Sequence, residues 1–567
     1  MDWPWMARGF FMSIGVCLLF SGCHLFQRED TPYPHSVVSA FDVSFDKINP
    51  QNTDFPGGRS ADQMILYTPD FGAATGTNQW GTEAVVIRGV VDKVGGNNSV
   101  IPSNGFVISG HGKSARWIVD NLHPGVEITV EGQKILCSIT DAACLYQSSA
   151  LIGEASGFDT YHILWDPKVS RKDLRSLKKQ SEKWKSHSQK AGRKVESRLA
   201  VQYAQKALDS AFEFYYKSQR SRQIELRACW YRLQEKSPAE LEMTIKKLSE
   251  AGFNAICPET IYWGYAIYPD AHPQLLQNPA FVGWDPLEEL CRLTHKYNMK
   301  VIPWVEVFYI GFENSPLKEE KPGWLAFSRS GAYPSVLEEG YYYFCPSRRE
   351  VRQFWLDVYE RMIRKYDIDG LQLDYIRFPR SLPWDEGYCY CGRCRELFFN
   401  KYEVDPAMID PGKNTEMWEK WNQFRMEQVT EFVRQTSVMI KEIRPNIRLS
   451  ADVFPDVKEA AESKFQDWKL WLEKGYIDEV FIMSYTSDVE QVRRESQALM
   501  QTMPTQSSGY VGLAPYLGFP PKMLIDQIRA VQETGANGSC LFSLEYLSED
   551  HFNALKQGPF RLPAYVP

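Results

Sequence analysis

From residue 223 onward the chain alternates two kinds of hydrophobic pattern. Short apolar runs lie at 224–230, 253–257, 300–306, 368–374, 447–452, 477–483, 509–513 and 538–544. Between them, apolar residues recur every three or four positions, the period of a helix with one buried face. Such an alternation predicts parallel strands joined by helical crossovers. The helix starts carry their own signals. Ser237-Pro238-Ala239-Glu240 combines a capping serine, a proline at the first helical position and a glutamate three residues on. Leu241, Ile245 and Leu248 then share a face up to Gly252. Asp285-Pro286-Leu287-Glu288 repeats that logic, and Ser347 with Glu350 predicts a third start ahead of the stripe Val351, Phe354, Trp355, Val358 and Met362. Eight strand–helix units over residues 223–560 predict an α/β fold, a (β/α)8 TIM barrel. An open doubly wound sheet usually has a glycine-rich phosphate turn after its first strand; this chain has Trp230-Tyr231-Arg232-Leu233 there.

The first 222 residues read differently. Residues 61–165 hold short β-like runs at 84–91, 105–109, 126–130 and 150–152, with a short helix at 113–121, and predict a small β-rich accessory domain. Residues 166–222 predict a basic helical linker of one or two helices: from Lys168 to Arg222 there are 16 Lys and Arg against 5 Asp and Glu. The whole chain nevertheless carries a net charge of −7, which argues against nucleic acid as a partner. Residues 9–20 form an apolar run too short to span a bilayer, following Arg8 and ending in Phe20-Ser21-Gly22-Cys23. That ending resembles a bacterial lipobox, with Phe20 where Leu is usual. It implies a signal peptide at 1–22, lipidation of Cys23, a polar tether at 23–60 and an exported lipoprotein held to the membrane of the cell envelope. Export makes disulfides possible, and Cys137 and Cys144 are close enough in sequence to pair. Cys229, Cys257, Cys291 and Cys540 read as buried thiols.

Active sites of such barrels lie at the C-terminal ends of the strands. Glu259 follows strand 2, Glu306 ends strand 3, Asp374 strand 4 and Asp452 strand 5, and Glu545 follows strand 8. Crowded carboxylates raise one another's pKa values, so that one holds a proton while another stays ionised. Glycosidic cleavage needs that asymmetry, and the separation of the two carboxyl groups decides between retention and inversion. Asp374 ranks first, Asp452 and Glu306 compete as its partner, and Glu259 and Glu545 join Arg227, Trp230, Arg377 and Tyr485 as candidate substrate-binding groups.

The stretch Asp369-Gly370-Leu371-Gln372-Leu373-Asp374-Tyr375-Ile376-Arg377-Phe378-Pro379 resembles the fourth-strand motif of the glycosyl-hydrolase-like family 10 barrels. Further pieces follow the same order: Glu225-Leu226-Arg227-Ala228-Cys229-Trp230, Pro258-Glu259, Ala266-Ile267-Tyr268-Pro269, Asp285-Pro286-Leu287, Ser450-Ala451-Asp452-Val453-Phe454 and Met483-Ser484-Tyr485. The resemblance implies a glycosidase acting on peptidoglycan strands or another polysaccharide, with Asp374 in its site. Many family members have a second Asp directly after the strand-4 Asp; here Tyr375 stands in its place. A non-catalytic glycan-binding lipoprotein on a degenerate barrel is the alternative reading. A metal-dependent deacetylase would need His ligands at strand ends, and none of the nine His lies there.

Two long insertions, about 307–346 and 375–415, must rise over the catalytic face. The first carries Trp324, Phe327 and Tyr341-Tyr342-Tyr343-Phe344, which suit either a glycan groove or packing against one another. The second holds Cys389-Tyr390-Cys391-Gly392-Arg393-Cys394, a spacing that resembles a zinc knuckle with Cys345 as its fourth ligand; a structural zinc, a disulfide and free thiols are the alternatives. The proposed chemistry itself requires no cofactor. In the N-terminal half, Thr75-Gly76-Thr77-Asn78-Gln79-Trp80-Gly81 with the stretch from Ile101 to Gly112 resembles phosphodiester-glycosidase-type domains, with His111 either a sugar or phosphate ligand or a turn residue of an accessory module.

Overall fold

The structure is a computed structural model that describes residues 37–51, 62–78, 81–123, 126–194, 197–335, 337–338, 340–380 and 387–567. The predicted signal peptide and Cys23 lie outside the described residues. The eight barrel strands are β1 (Leu226–Tyr231), β2 (Ala255–Tyr262), β3 (Trp304–Glu306, after a short Lys300–Val301 piece), β4 (Gly370–Asp374), β5 (Arg448–Val453), β6 (Glu479–Met483), β7 (Ser508–Leu513) and β8 (Gly538–Leu541). Each pairs in parallel with the next, and β8 returns to β1 through Gly538 opposite Leu226, so the cylinder is closed. The break in β3 falls at Ile302-Pro303, because Pro303 has no N–H to carry the ladder onward. β2 runs to Tyr262, five residues past the predicted end, and folds back onto Tyr265–Ala266.

Side-chain parity sorts the strands into an inside and an outside. Leu226, Ala228 and Trp230 of β1, Ala255 and Cys257 of β2, Trp304, Phe481, Tyr510 and Cys540 form the packed interior. Cys229, Tyr231, Ile256, Leu371, Leu373, Leu449 and Val480 point outward into the larger core shared with the helices. Large and small residues alternate inside: a Cβ added at Gly512 would lie 2.8 Å from Trp230 Cη2, so that glycine makes room for the indole. Around the cylinder, Ser237 Oγ accepts from Glu240 N at 3.3 Å and Asp285 Oδ1 from Glu288 N at 3.2 Å, capping Pro238–Glu250 and Pro286–Lys296. The third start differs. Helix Arg349–Lys365 has Arg348 at its N-cap with no side-chain cap, because the Ser347 hydroxyl is engaged 3.1 Å from Cys394 Sγ.

The N-terminal module is an eight-stranded, mainly antiparallel sheet with helix Lys113–Asn121 against its core. Three sequence expectations change here. The run 84–91 is a hairpin, Thr82–Ile87 with Val90–Val94, turned at Arg88 and Gly89, both with positive φ (51° and 75°). Part of the expected tether is strand: Val37–Ser44 pairs antiparallel with Lys134–Thr140, and Lys47–Ile48 pairs in parallel with Met64–Tyr67. Residues 150–152 belong to helix Asp141–Ser156, whose Cys144, Leu151, Ile152 and Ala155 are buried at helical spacing and whose first turn is capped by Thr140. The basic segment is two helices, Arg171–Arg193 and Ser197–Lys217. Ser148 and Ser181 both donate to Ala207 O, at 3.2 and 2.9 Å, stitching these two helices to Asp141–Ser156 as one layer. A buried Arg561–Asp166 ion pair ties that layer to the end of the barrel. Cys137 and Cys144 are separate thiols in different cores, and Cys229, Cys257, Cys291 and Cys540 are buried and unpaired as expected.

The module leans on the loops that follow β6 and β7. Thr82 Oγ1 donates to Leu517 O at 3.3 Å, Ser487 Oγ lies 3.5 Å from Asn97 Oδ1, and Gly518 meets Val119 so closely that a Cβ would lie 2.4 Å from it. His111 sits at the edge of the module's own polar core, bonded to Asn78 at 3.1 Å.

Candidate active site

The parity that puts Ala228, Cys257 and Trp304 inside also turns Glu259, Glu306, Asp374 and Asp452 inward, each at or near the C-terminal end of its strand. Glu306 and Asp374 are register partners across β3 and β4, and Glu259 is opposite Trp304 across β2 and β3. The floor below them is packed with side chains. Trp230 Nε1 donates to Gln372 Oε1 at 2.9 Å, and its ring packs edge-on against Phe481 and Phe542. Glu259, Glu306 and Asp452 are nearly fully buried, whereas Asp374 is half-buried.

Their environments differ. Asp374 has both oxygens engaged: Trp304 Nε1 donates to Oδ2 at 3.0 Å and its neighbour's backbone, Tyr375 N, to Oδ1 at 2.6 Å. Burial raises its pKa, and those two N–H donors with the charges of Arg377 and Arg232 pull it back. Burial lifts Glu306 well above the carboxylate range, and Glu259 and Asp374 push it further; only the Trp263 N–H, at 2.8 Å to Oε2, opposes them strongly among its hydrogen bonds. Glu259 is pushed up to about 7 by burial, held there by the Arg232 ion pair against the charges of Asp374 and Glu545. Burial and then Asp374 raise Asp452 well above its usual value. Burial and like charge thus raise Glu306 and Asp452 well above the usual range, while two N–H donors hold Asp374 back, the asymmetry that acid/base chemistry needs.

One wall of the site is aromatic. Trp263, 39% exposed, follows the end of β2 with φ 51°, and its backbone lies so near Gly311 that a Cβ there would meet it at 2.9 Å. The rings continue through Phe312 (5.6 Å from Trp263), Tyr341 (5.2 Å from Phe312), Tyr309 (4.4 Å from Tyr341) and Tyr375 (4.7 Å from Tyr309). Of the run predicted to line a groove, Tyr341 is half-buried in this wall, while Tyr342, Tyr343 and Phe344 are buried inside the insertion. Trp324 packs on Phe344 and Phe354, and Phe327 on Tyr333.

Several expected ligands take other roles. Arg227 lies at the start of β1, at the end of the barrel away from the carboxylates, fully buried and paired with Glu225 at 2.8 Å. Its odd position points it outward, where it also donates to Leu562 O and Arg222 O, so it closes the bottom of the cylinder and cannot reach a sugar. Trp230 is 1% exposed and plugs the barrel beneath the site. Arg377 is not paired with Asp374. It bridges to Glu338 of the preceding insertion at 2.8 Å and lies over Tyr375, so its guanidinium fastens two loops and is not presented to substrate. Tyr485 remains near the mouth, half-buried and stacked on Phe542, and Glu545 is exposed at the rim, where its charge is felt by Arg232 and Glu259. Cys345, Cys389, Cys391 and Cys394 come together in the two insertions, with their sulfur atoms all within 4.8 Å of one another.

Three contributors went unrecognised from sequence. Arg232 reaches Glu259 through two N–H groups at 2.7 and 3.2 Å and keeps its side chain 40% exposed at the mouth. Trp304 fixes Asp374, and Trp263 both holds Glu306 and forms the exposed wall. Period two along β1 carries the signal for Arg232, since 226, 228 and 230 point inward and 232 is next in step.

The family model described as Glycosyl hydrolase-like 10 matches residues 225–519, just over half of the chain and entirely within the barrel. Glycosyl hydrolase YngK of Bacillus subtilis (strain 168) is 22% identical over 268 residues, covering 42% of this chain and 47% of the relative, so the chain spans about half the length of that protein. Among solved structures, the PgaB (BpsB) glycoside hydrolase domain from Bordetella bronchiseptica is similar at 12% identity, covering 58% of this chain and 95% of that one with a TM-score of 0.46. The catalytic domain of β-amylase from Paenibacillus polymyxa is similar at 10% identity, covering 59% and 97%, with a TM-score of 0.44. The family match runs across the closed barrel and the carboxylates at its mouth, and it gives one conclusion: the chain belongs to the glycosyl hydrolase-like 10 family.

Proposed function

We propose that the protein is a glycoside hydrolase that cleaves O-glycosidic bonds of a bacterial cell-wall glycan or related polysaccharide, with Asp374 as the ionised carboxylate and Glu306 as the proton donor. The observation that carries this reading is the adjacent pair itself. Two carboxyl groups share a register position; one is half-buried and held by two N–H donors, the other is buried beside like charges. Glu306 would protonate the leaving oxygen while Asp374 attacks the anomeric carbon or activates water against it. Arg232 keeps Glu259 from adding a full negative charge to the mouth. An exported lipoprotein anchored through Cys23 would meet envelope glycans, which is the reason for naming that substrate class.

The test is mass spectrometry of products after incubation with peptidoglycan glycan strands and a panel of polysaccharides. New reducing ends are expected from at least one substrate. Binding without cleavage of any of them would favour the non-catalytic reading that Tyr375 leaves open.

Glu306→Gln should lower kcat/KM on that glycan by roughly 10²–10⁴-fold, the usual contribution of a positioned acid. Aryl glycosides with good leaving groups should recover most of the rate, because their departure needs no proton. Wild-type activity should fall as pH rises and Glu306 loses its proton, and the variant should lose that basic limb. If Asp452→Asn gives this signature and Glu306→Gln does not, the donor is Asp452. Trp263→Ala, which removes the exposed ring, should raise KM up to about tenfold, equivalent to the roughly 0.5–1.5 kcal/mol of an aromatic contact, with kcat little changed.

A further inference from the structure

The two insertions over the catalytic face meet at four sulfur atoms. Cys345 lies near the end of the first insertion, two residues past the Tyr342–Tyr343 strand, and Cys389, Cys391 and Cys394 belong to the second. All four are buried. Cys345 Sγ lies 3.4 Å from Cys394 Sγ and 3.6 Å from Cys391 Sγ, and every sulfur is within 4.8 Å of every other. A disulfide would bring two of them to about 2.05 Å. A tetrahedron of thiolates around zinc, with bonds of about 2.3 Å, has edges of about 3.8 Å, which suits the spacing found.

The surroundings suit anionic sulfur. The Cys391 N–H donates to Cys389 Sγ at 3.4 Å, and Ser347 Oγ stands 3.1 Å from Cys394 Sγ. Arg425 adds an independent observation. Its guanidinium is buried, donates to Tyr388 O at 2.7 Å and to Asn422, and has no carboxylate partner among the described residues. A buried cation with no counter-ion is expensive. Four thiolates around one divalent metal make a doubly negative core, which would be that counter-ion.

We propose that Cys345, Cys389, Cys391 and Cys394 bind one zinc ion that locks the two insertions together beside the carboxylates. The four thiols release their protons to solvent as the metal enters. Four protein ligands leave no position for water, so the metal is structural and takes no part in the hydrolysis. Its effect on the site passes through the wall: Tyr343 is next but one to Cys345 and packs on Tyr375 and Arg377, while Tyr390 N donates to Phe327 O at 2.9 Å across the same junction. The metal therefore fixes the aromatic side of the cleft.

The full chain purified under reducing conditions should contain one equivalent of zinc by plasma mass spectrometry. Cobalt exchanged for it should give the intense visible bands of a tetrahedral thiolate site. Cys391→Ser and Cys394→Ser should lose the metal to background, and Cys291→Ser, a buried thiol elsewhere, should retain it. Removal of the metal by a chelator should lower the melting temperature and raise KM more than it lowers kcat. If Cys391→Ser fails to fold, zinc content and the cobalt spectrum of the wild type still decide. Metal-free protein as isolated, with the four cysteines mapped by mass spectrometry either as disulfides or as freely alkylated thiols, would overturn the proposal.

Discussion

Asp374→Asn should lower kcat/KM on the cleaved glycan by at least roughly 10²–10⁴-fold, with binding of that glycan retained. The expectation follows from what the substitution removes. Asp374 is the half-buried carboxylate of the cluster, and its two oxygens already accept N–H groups from Trp304 and Tyr375. An amide can accept only one of these and must turn its own NH2 toward the other donor. That mismatch should cost about 1–3 kcal/mol of stability, the range for a buried donor left without an acceptor. The remaining activity should carry a further signature. Asp374 is among the charges that raise Glu259, Glu306 and Asp452. With that charge gone each of the three ionises more easily, so the basic limb of the residual pH–rate profile should move to lower pH. A fluorescence melt, a binding isotherm and a pH profile of the residual rate would separate loss of chemistry from loss of fold. Unchanged turnover would remove Asp374 from the reaction.

The fold was legible because a closed parallel barrel leaves a plain trace. Its strands are buried on both faces, so they read as continuous apolar runs, and their partners between them read as one-sided helices with Ser237-Pro238 and Asp285-Pro286 at their starts. Carboxylates at the ends of those runs were equally visible, because a charge ending an apolar strand has few places to go except the mouth. Direction around the strand was harder to see. Arg227 and Arg232 both flank Trp230, and only the step of two separates an arginine that seals the bottom from one that grips Glu259 at the top. Local signals also mislead where a distant partner competes for the same atom. Ser347 looks like a helix cap, but its hydroxyl is used by Cys394, a residue of the other insertion. Residues 37–44 read as part of a tether until the strand Lys134–Thr140 supplies their pairing. The aromatic wall needed three dimensions as well, since Trp263, Phe312, Tyr341 and Tyr375 come from three separate segments.

Arg227→Ala should be the most destabilising of these changes, at about 3–5 kcal/mol, the range for breaking a buried ion pair and leaving one charge behind. Arg227 is fully buried at the end of the barrel opposite the carboxylates, paired with Glu225 and stacked over Phe560. Its other N–H groups bind Leu562 O and Arg222 O, which pins the C-terminal segment and the entry to β1 against one another. Truncation would leave Glu225 buried with the Gln532 amide as its nearest remaining donor, at 3.0 Å, and would uncap those carbonyls. Glu225→Gln combined with Arg227→Met should recover a large part of the loss, because the stranded charge is then removed along with its partner and the Met chain keeps contact with Phe560. Urea unfolding followed by tryptophan fluorescence measures both variants. Glycan cleavage by the folded Arg227→Ala fraction should keep the wild-type KM, since nothing at this end of the cylinder reaches the mouth. A raised KM with unchanged unfolding would instead return Arg227 to the substrate site.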